Sequence, residues 1–249
     1  MSSPIAIVTG ASRGIGAATA RLLADQGYSV CINYVANRGA AELLLEEILN
    51  AGGKAIAVQA DVSKEDDVER LFATVDRDLG QLRLLVNNAG VVSAQQRVEA
   101  MDAARIERVL SVNVVGAFLC AREAVKRMSS NRNGAGGVIV NVSSAASRIG
   151  SPNEYVDYAA SKGAIDSFTR GLSLEVADEG IRVNCVRPGF IYTDMHESGG
   201  ERDRVDRLRS SIPLRRGGTP EDVANAICWL ASDDASYCTG TFIDCAGGR

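Results

Sequence analysis

The sequence is poor in the residues that build metal sites and hydrolase centres. Among 249 residues there is one histidine, His196, and one tryptophan. A single histidine excludes a multi-histidine zinc or iron site, and it allows a serine or cysteine hydrolase only if His196 is the base. The six cysteines form no Cys-x-x-Cys pair, so we expect reduced thiols and no disulfide framework.

A strong excess of charge of either sign is also lacking. Lys and Arg number 27 and Asp and Glu number 31, which gives a net charge of −4. Because nucleic-acid affinity depends on clustered positive charge, we expect no nucleic-acid partner. No apolar run reaches membrane-spanning length, and no basic stretch followed by a long apolar one opens the chain. We therefore expect a cytoplasmic protein with no membrane partner.

Short apolar runs alternate with helical patterns along the whole chain. Branched apolar residues predict strands near 5–8, 28–34, 55–59, 82–86, 138–142, 182–186 and 240–243. Helices are predicted between them, and their start signals include Ser63 with Asp66 and Thr219 before a proline and two acids. This alternation predicts an α/β fold: a single domain over 1–249 with a Rossmann-type, doubly wound parallel sheet of about seven strands and helices on both faces.

A glycine-rich segment joins the first strand to the first helix. Glycines allow a tight turn and close approach of a ligand, and a helix start presents free N–H groups to a pyrophosphate. The alternative is a tight turn with no ligand, but the position between strand and helix favours a dinucleotide site. The predicted contacts in this segment are Gly10, Ser12, Arg13, Gly14, Ile15 and Gly16.

Two further motifs follow in order along the chain. Asn87, Asn88, Ala89 and Gly90 come after the fourth predicted strand, and Tyr158-Ala-Ala-Ser-Lys162 lies on a long helix over about 155–177. With the Gly-x-x-x-Gly-x-Gly spacing, they make the chain resemble the classical short-chain dehydrogenase/reductase family over essentially its whole length. It is similar to members known as β-ketoacyl-carrier-protein reductases and glucose dehydrogenases.

The resemblance implies hydride transfer between a nicotinamide and a carbonyl or secondary alcohol, in a homotetramer. Tyr158 would donate the proton, and Lys162, one helical turn away, would lower the tyrosine pKa and bind the nicotinamide ribose. Ser144 would polarise the substrate oxygen, but it stands one residue further from Tyr158 than is usual, so Ser143 stays open. Asn113 would hold a water that relays protons. Nicotinamide contacts are expected at Pro188, Gly189, Ile191 and Thr193, and further cofactor contacts at Asn88, Ala89 and Gly90.

The second predicted strand indicates which dinucleotide is bound. NAD sites usually place an acid there, whereas this strand ends in Asn33 and Tyr34, and no acid occurs between Asp25 and Glu42. Guanidinium groups favour a 2′-phosphate, and Arg13 and Arg38 are close in sequence. The pattern predicts NADP(H), with NAD(H) possible. By the resemblance, Asp61 and Val62 contact adenine, although Asp61 could equally be a turn residue.

A polar segment over about 194–216 is too long for an ordinary connection, and we expect a small mobile lid with Gly217 and Gly218 as one hinge. His196, within it, fits a substrate-pocket or surface position better than that of a base.

The sequence leaves three alternatives to a reductase: a non-catalytic dinucleotide sensor, a sugar-nucleotide epimerase and a serine hydrolase. An NAD-preferring sugar dehydrogenase is the alternative within the enzyme class. The acidic turn at 177–180 argues against an acidic carrier protein as substrate donor, whereas six arginines over 201–216 argue for one.

Overall fold

A seven-stranded parallel sheet forms the centre of the protein. The computed structural model describes residues 3–249; Met1 and Ser2, the first residues of the expected untargeted start, lie outside the described residues. The strands are β1 (Ile5–Val8), β2 (Ser29–Tyr34), β3 (Lys54–Gln59), β4 (Leu82–Asn87), β5 (Gly137–Val142), β6 (Ile181–Pro188) and β7 (Phe242–Cys245). Their order is β3-β2-β1-β4-β5-β6-β7, and every pair is parallel. The predicted fold class is confirmed.

Helices cover both faces of this sheet. They are α1 (Gly14–Asp25), α2 (Arg38–Asn50), α3 (Glu65–Asp78), α4 (Ala103–Leu110), α5 (Gly116–Met128), α6 (Ala146–Ile149), α7 (Val156–Glu175), α8 (Met195–Ser198), α9 (Arg204–Leu208) and α10 (Pro220–Ala231). Buried residues of α1, α2 and α10 pack on one face, and those of α3 and α5 pack on the other. Within β1, Ala6 and Val8 face the first core and Ile5 and Ile7 the second, which is why the strand is apolar throughout.

The carboxyl ends of the central strands lie at one edge of the sheet. The pairing register sets Val8 beside Val86, and Val142 beside Val186. The chain order reverses between β1 and β4, because successive strands run outward from β1 in one direction and from β4 in the other. Ligands of open α/β sheets bind in the crevice at such a reversal, so this edge is where the site is expected.

Two local predictions need correction. The Ser63 hydroxyl donates to the Asp61 carboxylate, and α3 begins only at Glu65, so Ser63 and Asp66 form no capping box. The sequence also predicts two separate helices over about 101–111 and 113–129, whereas the structure has one continuous helical stretch, with a π-helical turn over Ser111–Val115 between α4 and α5. Such wide turns are often found at functional sites, and this one contains Asn113.

The start of α10 follows the sequence signal. The Thr219 hydroxyl accepts from the backbone N–H of Asp222, and the Asp222 carboxylate accepts from the backbone N–H of Thr219. The neighbouring glycines are closely packed. A Cβ on Gly217 would lie 2.2 Å from Val205, and Gly218 pairs with Ile191 in a β-bridge. These glycines permit close packing of the 204–218 segment on the end of β6.

All six cysteines are free, as predicted. Cys31, Cys120, Cys185 and Cys228 are buried, and burial raises the pKa of the Cys120, Cys185 and Cys228 thiols to about 12. No helix between residues 3 and 249 combines the length and the apolar character needed to cross a membrane. Within the same range, no cluster of three His, Cys, Asp or Glu side chains is arranged to hold a metal ion.

A buried ion pair joins α4 to the first turn of α7. The Arg105 guanidinium donates to the Asp157 carboxylate at 2.8 Å, and the two side chains are 10% and 3% exposed. Arg105 also donates to the carbonyl oxygen of Ala94 and to the side chain of Gln96. One arginine therefore fixes the loop after β4 and the start of the helix that carries Tyr158.

We expect Arg105→Met to lower the free energy of unfolding by about 3–5 kcal/mol, because it leaves the Asp157 carboxylate buried without its partner. Arg77→Met is the matched control: Arg77 pairs with Asp78 at side-chain exposures of 71% and 37%, and such exposed pairs contribute about 0–1 kcal/mol. Urea denaturation of both variants measures the difference. Equal losses in the two variants would contradict this account.

Candidate active site

The loop between β1 and α1 is shaped for close approach of a ligand. Gly10 has φ +62° and Gly14 has φ +56°, a region that side-chain-bearing residues rarely adopt. A Cβ on Gly16 would lie 2.5 Å from the amide nitrogen of Asn88 and 2.7 Å from the Gly10 carbonyl oxygen. The three glycines thus allow a tight turn against the neighbouring loop.

The loop after β4 holds this turn in place. The Asn88 side-chain amide donates to the Thr9 and Gly10 carbonyl oxygens at 2.8 and 3.2 Å. The Thr9 hydroxyl oxygen accepts from the backbone N–H groups of Asn88 and Ala89, both at 3.0 Å. On the other side, Asn33 accepts from the Gly10 N–H through its side-chain oxygen. Asn33 is fully buried, so its place is structural: it supports the glycine loop from beneath.

The N-terminus of α1 is left free to bind an anion. Arg13, the residue before the helix, makes no side-chain cap, and the first turn contains no acid. The helix dipole and the first N–H groups therefore point at the crevice without a side-chain partner. The glycine loop leaves space that a Cβ atom would fill, and it leads into an uncapped helix of 12 residues. This arrangement fits the pyrophosphate of a dinucleotide.

Tyr158 and Lys162 lie on α7, one turn apart, and both line a cleft at this sheet edge. The Lys162 Nζ donates to the Val142 carbonyl oxygen at 2.8 Å and lies 5.6 Å from the centre of the Tyr158 ring. The lysine is 3% exposed, so burial lowers its pKa to about 8.

The pKa of Tyr158 moves opposite to the sequence-based expectation. Burial of the phenol raises this pKa, and a hydrogen bond with the Ser144 side chain opposes the rise only in part. Lys162 points at the Val142 carbonyl oxygen, and its own burial weakens its positive charge near neutral pH. The protein's own groups therefore leave the tyrosine protonated, which suits a proton donor.

The structure distinguishes the two serines after β5. The Ser143 hydroxyl donates to the Lys162 carbonyl oxygen at 3.1 Å, and the residue is 2% exposed. Ser144 is half-buried, faces Tyr158 and accepts from the Ala146 N–H. Gly150, with Ser151 and Asn153, has positive φ, so the extra residue before Tyr158 is absorbed in the turn after α6.

Asn113 lies beneath the cleft, in the π-helical turn. Its side-chain amide exchanges two hydrogen bonds with the backbone of Val91, at 2.8 and 3.0 Å, and donates to the Ser161 hydroxyl at 3.0 Å. A Cβ on Gly90 would lie 3.5 Å from both the Asn113 oxygen and the Lys162 Nζ. Asn113 thus joins the loop after β4 to α7 directly beside the lysine.

The turn after β6 completes the cleft. The Ser143 N–H donates to the Val186 carbonyl oxygen and the Ala145 N–H to the Pro188 carbonyl oxygen, so the pairing of β5 with β6 continues past the strand ends. This pairing brings Ser144 beside the turn. Predicted site residues that line the cleft are Ile15, Asn88, Ser143, Ser144, Tyr158, Lys162, Pro188, Gly189, Ile191, Thr193 and His196.

The predicted residues for the adenosine end lie outside this cleft. Tyr34 is buried in the core between the sheet and α2, and Val62 packs against Gly116. Asp61 accepts from the Ser63 N–H and hydroxyl, as a turn residue does. Arg38 is exposed and pairs with Glu42 within α2. Arg13 is half-exposed, with its guanidinium 3.8 Å from Asp194.

Sequence reasoning missed one buried arginine in the cleft wall. Arg204 is 6% exposed, and its guanidinium pairs with Glu154 and Glu201 and packs over the rings of Tyr155 and Phe190. Glu201 lies only three residues before it but in an irregular loop, and Glu154 lies 50 residues away, so sequence spacing does not mark its burial. The only available signal was the arginine content of 201–216.

The sequence was compared with known proteins. A family model described as enoyl-(acyl carrier protein) reductase matches residues 10–249. The uncharacterized oxidoreductase YgfF of Escherichia coli (strain K12) is 63% identical over 98% of this chain and 99% of its own. The chain belongs to the short-chain dehydrogenase/reductase family. It is also similar to a 3-oxoacyl-[acyl-carrier-protein] reductase FabG of Staphylococcus epidermidis (strain ATCC 35984), at 38% identity over 98% of this chain and 97% of that one.

Solved structures of family members agree. A 3-ketoacyl-(acyl-carrier-protein) reductase from Brucella melitensis, complexed with NADH, superimposes with a TM-score of 0.92 at 34% identity, covering 100% of this chain and 98% of that one. A short-chain type dehydrogenase/reductase from Mycobacterium marinum gives a TM-score of 0.93 at 34% identity, covering 99% and 95%. The chain is thus an oxidoreductase of this family, whose members bind a nicotinamide dinucleotide and act on small molecules.

Lys162 gives this short-chain dehydrogenase/reductase a testable pH signature. Its pKa falls from 10.5 when unfolded to about 8 when folded, so between these pH values the unfolded chain binds more protons. Stability from this group therefore rises as pH increases through that window. We expect the free energy of unfolding of Lys162→Met, taken relative to wild type, to decrease between pH 8 and 10.5. The decrease is up to about 3 kcal/mol, because one pKa unit corresponds to about 1.4 kcal/mol.

Denaturant unfolding of both proteins across this pH range measures the effect. The lost hydrogen bond to the Val142 carbonyl oxygen shifts the whole curve but not its slope, because that bond does not titrate. Parallel curves for wild type and Lys162→Met would mean that the lysine is not desolvated.

Proposed function

We propose that the protein is an NADP(H)-dependent reductase or dehydrogenase that interconverts a carbonyl and a secondary alcohol, with Tyr158 as the acid or base. The observation that carries this proposal is the convergence of Ser144, Tyr158 and Lys162 on one cleft, next to an uncapped helix N-terminus. A non-catalytic dinucleotide sensor needs no such convergence.

Each of these side chains has a distinct role in the proposed reaction. A nicotinamide dinucleotide, when bound, supplies or accepts the hydride at its C4 atom. Ser144 and Tyr158 hold the substrate oxygen between their hydroxyls, and the Tyr158 hydroxyl donates its proton to that oxygen during reduction. Lys162, at the floor of the cleft, binds the ribose hydroxyls and stabilises the phenolate left behind.

Asn113 positions this group and connects it to solvent. Its hydrogen bonds to Val91 and Ser161 fix the π-helical turn beside Lys162, and a water held there passes protons to the lysine. Cofactor contacts are assigned by the same reasoning: Gly10, Ser12, Gly14, Ile15 and Gly16 at the pyrophosphate, Arg13 at the adenosine end, Asn88, Ala89 and Gly90 along the ribose, and Pro188, Gly189, Ile191 and Thr193 at the nicotinamide.

The proposed preference for NADP(H) depends on charge around the end of β2. No acid follows Tyr34 before Glu42, and Glu42 is already paired with Arg38. Arg13 and Arg38 supply guanidinium groups for a 2′-phosphate, and both side chains are more than half exposed. The NADH complex of the Brucella melitensis 3-ketoacyl-(acyl-carrier-protein) reductase favours the alternative cofactor, NAD(H).

The cofactor proposal is tested by comparing kcat/KM for NADPH and NADH. We expect a preference for NADPH in the wild type and a loss of about tenfold for NADPH in Arg13→Gln, since a hydrogen bond to a charged group contributes about 1.5–3 kcal/mol. The matched control is Arg21→Gln, an exposed arginine of α1 that pairs with Glu47. A wild type that prefers NADH would overturn the proposal. Tyr34→Asp is a poor test, because Tyr34 is buried in the core.

Catalysis is tested on the two hydroxyls and a matched neighbour. We expect Tyr158→Phe and Ser144→Ala each to lower kcat by about 10²–10⁴-fold, the usual contribution of acid–base help, while NADPH binding is nearly unchanged. Ser143→Ala should keep most of the activity, because the Ser143 hydroxyl is turned away toward the Lys162 carbonyl oxygen. Turnover of Tyr158→Phe above about a tenth of wild type would refute its role.

We further propose a cytoplasmic homotetramer. Phe118 on α5 is 47% exposed and stacks on Phe168 of α7 at 3.8 Å, and Leu174 of α7 is 73% exposed. These residues support a contact between copies through α5 and α7. Ala121 and Ile165, on the same two helices, are buried in the protomer itself.

The segment over 194–216 is proposed as a small lid over the substrate. Met195 and His196 line the cleft, and the His196 ring donates to the Ile191 carbonyl oxygen at 3.0 Å. The segment is anchored more firmly than its sequence suggests, through buried Arg204 and Val205. For the lid to open, either the ion pairs of Arg204 must break, or Arg204 and its glutamate partners must move together.

A further inference from the structure

The ionisable side chains that line the cleft include no acid. They are Tyr155, Tyr158, Lys162, His196, Arg204 and Arg249. Arg204 is neutralised by Glu154 and Glu201, and burial holds the pKa of His196 below its ordinary value. Lys162 is assigned to the cofactor ribose. Arg249 is the remaining cation, and the proposed reaction gives it no role.

Arg249 is positioned at the mouth of this cleft. Its guanidinium donates to the Ser211 hydroxyl oxygen at 2.7 Å and lies 4.8 Å from the centre of the Phe190 ring, which also lines the cleft. Within residues 3–249, no carboxylate side chain comes within 4.0 Å of it. The Ser211 hydroxyl and the Phe190 ring thus hold the guanidinium, and within the described residues no side-chain carboxylate neutralises it.

We infer that the substrate carries a carboxylate at a distance from its reacting carbonyl, and that Arg249 binds this carboxylate. The inference rests on the proposed function. A guanidinium presents a planar set of donors that matches a carboxylate. An anion also binds more strongly where the cleft wall has positive groups and no acid. Ala146, Ile149 and Phe190 line the same cleft, so an apolar chain suits the part of the substrate between its two polar ends.

The same contacts argue against an acidic carrier protein. Four of the six arginines over 201–216 are already paired within the chain: Arg202, Arg204, Arg207 and Arg216 contact Glu197, Glu154, Glu201 and Asp222. A surface whose arginines are neutralised attracts an acidic protein weakly. A small oxo-acid needs only the one free guanidinium at the mouth.

The test compares keto acids with neutral ketones of the same length. The pairs are 4-oxopentanoate with 2-pentanone, 6-oxoheptanoate with 2-heptanone, and 5-oxohexanoate with its methyl ester; dihydroxyacetone phosphate with dihydroxyacetone serves as the phosphate arm. We expect wild-type kcat/KM to favour at least one acid over its neutral partner by about ten- to a hundredfold, the effect of a hydrogen bond to a charged group. Arg249→Gln should abolish that preference and leave the neutral partner unchanged.

Two further variants separate charge from folding. Arg249→Lys should keep part of the preference, and Arg209→Gln should keep all of it, because Arg209 is an exposed arginine outside the cleft lining. Equal rates for acids and neutral carbonyls in the wild type, or a preference that survives Arg249→Gln, would overturn the inference. The inference would also be overturned if the preference for dihydroxyacetone phosphate over dihydroxyacetone exceeded the preference for the acids over their neutral partners. If neither the acids nor the neutral carbonyls oxidise NADPH or NADH, the proposed function is wrong, and so is this inference, which rests on it.

Discussion

The site depends on one constraint. The parallel strands must end at the same edge of the sheet, and the polar side chains buried there must find hydrogen-bond partners within the protein instead of water. Buried amides meet this requirement. The Asn87 side chain donates to the Asn141 side chain, which in turn donates to the Thr169 hydroxyl on α7. Because buried polar groups must be paired, this chain of three residues locks β4, β5 and α7 into one register. Every group of the cleft is then positioned by elements that cannot slide past one another.

Burial has opposite consequences for the two central side chains of the cleft. It raises the pKa of Tyr158, which favours the neutral phenol, and it lowers the pKa of Lys162, which favours the neutral amine. At neutral pH the Tyr158 phenol is uncharged in any case, so the cost in stability falls on Lys162, whose ammonium group is removed from water. Functional groups held in this way are expected to reduce stability, and the loss is offset in the two apolar cores on either side of the sheet.

The parts of the fold that the sequence predicted are those governed by local chemistry. Strand positions follow from short apolar runs, the Thr219 cap from neighbouring residues, and the glycine loop from its place between strand and helix. Prediction failed where two local pairings compete, as at Ser63, which binds Asp61 instead of capping α3. It also failed where distant residues decide, as at Arg204, which is buried against Glu154, 50 residues away. The sequence favoured Ser144 but left Ser143 open, whereas the structure turns the Ser143 hydroxyl toward a backbone carbonyl and the Ser144 hydroxyl toward Tyr158.

The distribution of the cysteines has a consequence for how motion in this protein can be observed. Cys31 and Cys120 are in the core on one side of the sheet and Cys228 is in the core on the other, all with little or no exposure. A thiol reagent reaches such a group only when its surroundings open, so the labelling rate of each cysteine reports the opening of its own core. The chain thus carries natural probes on both sides of the sheet, and they can show whether the two halves open together or separately.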